Sequence, residues 1–268
     1  MNEEASVSAA GYSDDAHRMM AGRTASRDAA FFLPHLRPGM RLLDCGCGQG
    51  TITMGLAQAV APGEVVGLDV DPLQVERARA TALNQGVQNA RFEAGDAYAL
   101  PFPDASFDAV FANHLLNWMA RPSVALSEFR RVLRPGGVIG LQTLDPSIWV
   151  LHPSTPLLEQ LPPLLLRVWD HLGASFHFGD QQRQALLDAG FARSESLGGW
   201  AGGGTSATLT EFILLDRSLR MPEFRQASIT QGWADETTLD AMLAELTTFK
   251  AQPGAFFAVM SCVAVGWV

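Results

Sequence analysis

Met40-Arg41-Leu42-Leu43-Asp44-Cys45-Gly46-Cys47-Gly48-Gln49-Gly50-Thr51 is the stretch from which the rest of the chain is read. Leu42 and Leu43 lie in a short apolar run bounded by glycines, the pattern of a strand buried on both faces. Gly46, Gly48 and Gly50 alternate with Cys47 and Gln49, and Thr51 opens a segment in which Ile52, Leu56 and Val60 recur at helical spacing. A strand that passes through a glycine turn into a helix brings bare backbone to the carboxyl edge of a sheet, where open α/β folds bind ligands.

Outward from that turn, strands and helices alternate. Ala61-Pro62-Gly63 turns into a strand over Glu64 to Asp71, and Pro72 suits the first position of a helix running to about Asn84. Ala90 to Ala94 and Phe107 to Ala112 read as further strands, with a helix from about Ser123 to Leu133. Pro135-Gly136-Gly137 stops that helix, and Val138 to Thr143 is a fifth strand. This βα spacing predicts a parallel, right-handed wound sheet.

The rhythm then changes. Leu157 to Leu172 is helical but apolar around most of its circumference, and Gln181 to Ala189 and Ala192 to Leu197 follow as helix and strand. Gly202-Gly203-Gly204 reads as a flexible break, a candidate hinge, and Thr208 to Arg220 as a helix. Asp235 caps a helix whose Leu239, Met242, Leu246 and Phe249 share one face, and Ala255 to Val268 is the last strand. Tyr12 to Phe32 reads as one or two short helices, with Ser26 as an N-cap.

Hydrophobic residues make up 47% of the 268 and charged residues 18%, so the chain is globular rather than disordered. Its net charge of -9, without a cluster of Lys and Arg, argues against a nucleic-acid surface. Leu157 to Leu172 is too short and too interrupted by Pro162-Pro163 for stable membrane insertion, and Met1 to Ala10 is no secretory signal, so the expected location is cytoplasmic. Three cysteines, Cys45, Cys47 and Cys262, do not make a metal site.

The glycines alone suit several nucleotide ligands, but the spacing departs from Gly-x-Gly-x-x-Gly, since the third position after Gly48 is Thr51. Asp69, 19 positions after Gly50 at the end of the second strand, can accept both hydroxyls of a ribose. Asp96 ends the third strand beside the same crevice.

Leu42 to Thr51 resembles the first motif of the class I S-adenosylmethionine-dependent methyltransferases. Gly67-Leu68-Asp69 resembles their ribose-binding acid and Gly95-Asp96-Ala97 their adenine-binding element. Leu100-Pro101-Phe102, Ser106-Phe107-Asp108 and Arg131 to Gly137 are similar to later blocks of the branch containing the ubiquinone and menaquinone biosynthesis enzymes. The resemblance covers roughly residues 35 to 145. It implies an α/β fold, a Rossmann-like seven-stranded sheet with its last strand antiparallel, carrying helical cap insertions. On that basis residues 1–268 form one domain, with N-terminal helices at 11–33 and cap segments at about 146–175 and 200–254. It also implies S-adenosylmethionine as cofactor, held by Asp44, Gly46, Cys47, Gly48, Thr51, Asp69, Val70, Asp96, Ala97 and Asn113, with Tyr12 reaching back over the methionine end.

The implied activity is transfer of a methyl group to an O, N or C nucleophile of a small, apolar metabolite. A protein of this fold that binds the cofactor without methyl transfer, as a cyclase or a ligand-sensing partner, is the alternative; a nicotinamide-dependent oxidoreductase is disfavoured by the glycine spacing. Where the acceptor must lose a proton, His114 is the candidate base, since Asn113-His114 follows the fourth strand at the crevice. The other reading is a histidine that packs and hydrogen-bonds a neighbour. His177, between Phe176 and Phe178, is a second candidate, with Asp145 and His152 behind it. Trp118, Trp169, Trp200 and Trp233 either line an apolar pocket or form plain core.

Overall fold

In a computed structural model, residues 20–204 and 213–268 are described. Seven strands form one sheet: β1 (Leu42–Cys45), β2 (Val65–Asp69), β3 (Ala90–Ala94), β4 (Phe107–Asn113), β5 (Leu133–His152), β6 (Arg193–Gly203) and β7 (Phe256–Trp267). Their order is β3-β2-β1-β4-β5-β7-β6. The first five are parallel, and β7 runs antiparallel to both β5 and β6. The expected seven-stranded sheet with its last strand reversed is what forms.

Helices cover both faces. On one, α1 (Ala25–Asp28) and α2 (Thr51–Val60) bury Phe32, Ile52 and Leu56 against Leu42, Val65, Phe111 and Val265. On the other, α4 (Pro122–Val132) and α6 (Phe178–Asp188) bury Leu126, Phe129 and Leu186 against Leu43, Val66, Val110 and Ile139. The alternation of neighbours such as Leu42 and Leu43 between the faces explains why these strands are apolar throughout. Local chemistry sets the helix ends. Asp71 accepts from the N–H of Leu73 (2.9 Å), Pro72 begins α3 (Pro72–Gln85), and left-handed Gly86 closes it.

The helix at Ala25–Asp28 starts two residues earlier than Ser26 as cap requires. Thr24 is its N-cap, and the Thr24 N–H donates to Asp28 Oδ2 at 2.8 Å. Helices α5 (Leu161–His171), α7 (Ile213–Arg220), α8 (Pro222–Thr230) and α9 (Glu236–Lys250) build a cap around fully buried Trp169, with Phe224, Leu246 and Phe249. Asp235 caps α9 as expected, accepting from Thr238 N–H at 2.7 Å, and Leu239, Met242, Leu246 and Phe249 are buried. Thr208 to Phe212 of the expected α7 lie outside the described residues.

Two boundaries of the expected caps move. Strand β5 runs on past Thr143 to His152, with a break in register between Asp145 and Trp149, and pairs with β7 up to His152 and Phe256. Residues 146–152 are therefore strand or strand bulge rather than helical cap. Its Trp149 and Leu151 pack on the cap cluster, which holds this end of the strand in place. Residues 200–203 likewise belong to β6, not to a cap, and Gly202 and Gly203 pair with Ala258 and Phe257. A Cβ on Gly202 (φ 133°) would sit 2.2 Å from the Phe257 carbonyl oxygen. That glycine admits a close-packed ladder; it is not a hinge.

Candidate functional site

The site grows from the glycine turn. Gly46, Gly48 and Gly50 all have left-handed backbones, with φ of 75°, 53° and 79°. The N–H groups of Gly46 and Cys47 both donate to the Leu68 carbonyl, at 2.7 and 3.0 Å, which ties the turn to the end of β2. A Cβ on Gly50 would lie 3.0 Å from the Ala78 Cβ and 3.1 Å from the Phe92 ring, whereas among the described residues one on Gly48 would meet only Met20 Sδ, at 3.7 Å. Gly50 thus serves packing, and Gly48 leaves backbone open on the crevice side. Residue 20 crosses this opening, because Thr51 Oγ1 donates to the Met20 carbonyl at 2.8 Å.

Asp69 sits where the sequence puts it, at the tip of β2. One carboxylate oxygen accepts from Gly48 N–H at 2.9 Å and the other from Asp71 N–H at 3.0 Å. Two accepted bonds leave lone pairs for further donors. Burial lifts its pKa, and the N–H groups of Asp71 and Gly48 oppose that rise. Asp44, 2% exposed at the heart of β1, is pushed up to about 7 by burial. The Thr53 hydroxyl, 2.5 Å from its Oδ2, pulls it down, and the charge of Asp69 adds to the rise. A desolvated carboxyl beside a second acid is a place where a cation is welcome.

Asp96 is exposed just beyond β3 and accepts from Tyr98 N–H at 2.8 Å; Ala97 beside it is buried. Val70 is 49% exposed at the rim. Cys47 is half-buried, with its Sγ donating to the Gly48 carbonyl; Cys45 and Cys262 are buried, and all three thiols are free. Burial raises all three thiol pKa values, that of Cys262 to about 11. Tyr12 lies outside the described residues.

At the end of β4, Asn113 is 7% exposed, and neither its Oδ1 nor its Nδ2 has a hydrogen-bond partner among the described residues. Its register partner on β5 is Gln142, whose Nε2 donates to Ser261 Oγ while its buried Oε1 is unpaired. Buried polar atoms without partners are costly, and two amides side by side at a sheet's carboxyl edge mark a surface completed by a ligand. Gln142 and Thr53 escaped the sequence reading. The Thr51-Ile52-Thr53 spacing would have shown the second, but nothing local to residue 142 announces the first.

His114 follows with a left-handed backbone (φ 52°), its N–H donating to the Gln142 carbonyl at 2.8 Å. Burial first, then the charges of Arg23 and Arg27, hold its pKa well below the usual histidine range, so the ring is neutral. His177 sits elsewhere, on the turn before α6. It is half-exposed, with Nε2 3.7 Å from Asp170 Oδ2. Asp145 is buried and accepts from both the N–H and the hydroxyl of Ser147. Trp118, Trp169 and Phe176 pack edge to face as core, and Trp233 packs on His171. Trp200 is exposed. Among the described residues no group of three or more His, Cys, Asp or Glu is placed to hold a metal, and no helix is long and apolar enough to cross a membrane.

The later sequence blocks turn out to be framework. Arg131 donates to Glu128 and Asp104 and to the carbonyls of Leu100 and Phe102, pinning the loop after β3 to α4. Arg134 and the Arg41 N–H share Asp108, at 2.6 and 2.8 Å.

A glycine turn, the buried Asp44, the half-buried Asp69 and the Asn113–Gln142 amide pair thus come together in an α/β sheet domain. The family profile described as a methyltransferase domain matches residues 36–184, and the chain belongs to that family. It is 38% identical over 160 residues to the probable methyltransferase ltbC of Aspergillus luteorubrus, covering 56% of this chain and 55% of that one. It is 36% identical over 141 residues to the demethylmenaquinone methyltransferase of Lactococcus lactis, covering 52% and 53%. The chain thus spans about half the length of these relatives. Among solved structures, a putative methyltransferase from Bacillus halodurans superposes with a TM-score of 0.58 at 20% identity, covering 90% of this chain and 98% of that one. The YcgJ protein of Bacillus subtilis superposes at 0.57 and 21%, covering 94% and 98%.

Proposed function

We propose that the protein is an S-adenosylmethionine-dependent methyltransferase acting on an O, N or C nucleophile of a small, apolar metabolite. The observation that carries this is the acid-lined glycine turn at the strand end neighbouring Asn113, whose amide has no partner among the described residues. The donor set fits a ligand with ribose hydroxyls, an adenine edge and positive charge. When bound, the cofactor supplies a methyl group on a sulfonium, an electrophile that needs no further activation.

The chain's own residues bind, orient and desolvate. Asp69 accepts the ribose hydroxyls. Asp96 and the buried backbone at Ala97 hold the adenine edge, with Val70 against the ring. Asp44, Gly46, Cys47, Gly48 and Thr51 frame the methionine end, and the ionised form of Asp44 balances its cationic charge. Asn113 offers a donor and an acceptor at the mouth of the acceptor pocket. Alignment of the nucleophile with the methyl group supplies much of the rate, and a dry pocket helps when that nucleophile is anionic. Neutral His114 can accept a proton at an imidazole nitrogen where the acceptor must lose one; His177, beside Asp170, is the weaker placed of the two histidines. Three free thiols suit a reducing, cytoplasmic setting. Methyl transfer is favoured over the cyclase alternative by the methyltransferase family profile.

Two measurements test the proposal. Calorimetry should show S-adenosylhomocysteine binding and no binding of NAD. Incubation with radiolabelled S-adenosylmethionine and a metabolite library should give a product heavier by one methyl group. Failure of the nucleoside to bind sinks the proposal.

A further inference from the structure

The two edges of the sheet differ. Strand β3 is five residues long, and its Arg91 is tied by ion pairs to Glu64 and Glu93, the kind of short, charged edge that resists further pairing. Strand β6 is eleven residues long and pairs only with β7 among the described strands. Its two charges sit at one end. Arg193 lies 3.9 Å over the Trp267 ring and 3.8 Å from Glu195. From Ser196 to Gly204 there is no charged residue, yet Leu197 is 71% exposed and Trp200 62% exposed.

The apolar surface continues inward from this edge. Trp200 pairs with Met260, and Gly202 with Ala258, which pairs in turn with Val150. Val150 and Phe256 are also exposed, whereas the other face of the same ribbon, with Trp149, Leu151 and Phe257, packs on the cap.

We propose that β6 pairs antiparallel with β6 of a second copy of this chain, extending the sheet across a two-fold axis. The side chains are self-complementary in that arrangement. With the axis at Gly198, Leu197 lies opposite Gly199 of the second copy and Trp200 opposite its Ser196, so each large group faces a small one. Arg193 falls opposite Gly203 and Glu195 opposite Ala201, so no charge meets its like. Two chains of net charge -9 repel, and the uncharged run from Ser196 to Gly204 is where they approach at least cost. Backbone N–H and C=O groups along the edge that no described strand covers supply the hydrogen bonds.

Sedimentation of the full chain at about 50 μM tests this, in the range where a micromolar dimer is populated. Wild type should run at twice the 28.9 kDa chain mass. Leu197→Lys/Trp200→Lys should dissociate at least ~100-fold more readily, at unchanged circular dichroism, because it sets charges against each other at the centre of the contact. Independently of any variant, amide exchange from Leu197 to Gly203 should slow as wild-type concentration rises. A monomeric wild type, a double variant as dimeric as wild type, or exchange at β6 that ignores concentration would each overturn the proposal.

Discussion

The crevice and the cap handle buried polar groups in opposite ways. In the cap, the Trp169 Nε1–H donates to Ser218 Oγ at 3.1 Å and the Ser228 hydroxyl to the Phe224 carbonyl at 2.8 Å, so the aromatic interior is closed. At the end of β4, Asn113 and its register partner Gln142 keep buried amide atoms without partners among the described residues. The saturated polar groups at Trp169 and Ser228 belong to scaffold. Unsaturated polarity, held in place by a rigid sheet, belongs to a surface that something else completes.

The sharpest way to break this contrast is Trp169→Ala. Trp169 is fully buried among Trp118, Phe176 and Phe224, so its loss should cost about 3–5 kcal/mol, read as a lower melting temperature. S-adenosylhomocysteine should still bind the folded fraction with near wild-type affinity. A large loss of affinity at a temperature where the variant is folded would show that cap and crevice are one unit.

Next in size is Asp69→Ala, which removes a charged acceptor from the crevice. It should weaken S-adenosylhomocysteine binding by about 1.5–3 kcal/mol in calorimetry. Unchanged affinity would place the ribose elsewhere.

Asp44 gives a pH signature. Its pKa of about 7 in the folded protein is raised above the ordinary value of 3.8, so folding retains a proton there that the unfolded chain has released. Stability therefore falls as pH rises from about 4 to 7, where this group is concerned. Binding a cationic ligand favours the ionised form, so S-adenosylmethionine affinity should climb by up to about tenfold per pH unit below 7 and level off above it. Asp44→Asn should flatten the profile. A wild-type profile that is already flat would remove Asp44 from the charge-balancing role.

The smallest effect is the most diagnostic of sign. Asn113→Leu replaces two unpaired polar atoms with apolar ones and should stabilise the ligand-free protein by about 1 kcal/mol in urea melts, while weakening substrate or cofactor binding. Destabilisation instead would mean that Asn113 is already satisfied in the absence of ligand.

The same contrast explains what could be read from the chain. The glycine turn, Asp69 and Asp96 are legible because strand, turn and helix follow one another within a few residues, so spacing alone places them at one edge. The apolar face of α9 is legible for the same local reason. Gln142 depends on cross-strand register with Asn113, and no local pattern encodes that. The true ends of β5 and β6 differ from the expected ones because Asp145-Pro146-Ser147 and Gly202-Gly203-Gly204 carry no strand-like pattern of their own. One is the register shift within a continuing strand, and the other is a ladder whose partner backbone, at Phe257, comes too close for any Cβ.

Gly203 lies directly across from Phe257, so the chain departs from the sheet and comes back to it at one spot. Everything between those residues is topologically a loop on a hairpin, however many helices it contains. A tight two-residue connection could close the same gap. Helices α7 to α9, though not α5 with Trp169, are therefore an insert that a lineage, or a protein engineer, can exchange to change what is admitted, leaving the glycine turn untouched.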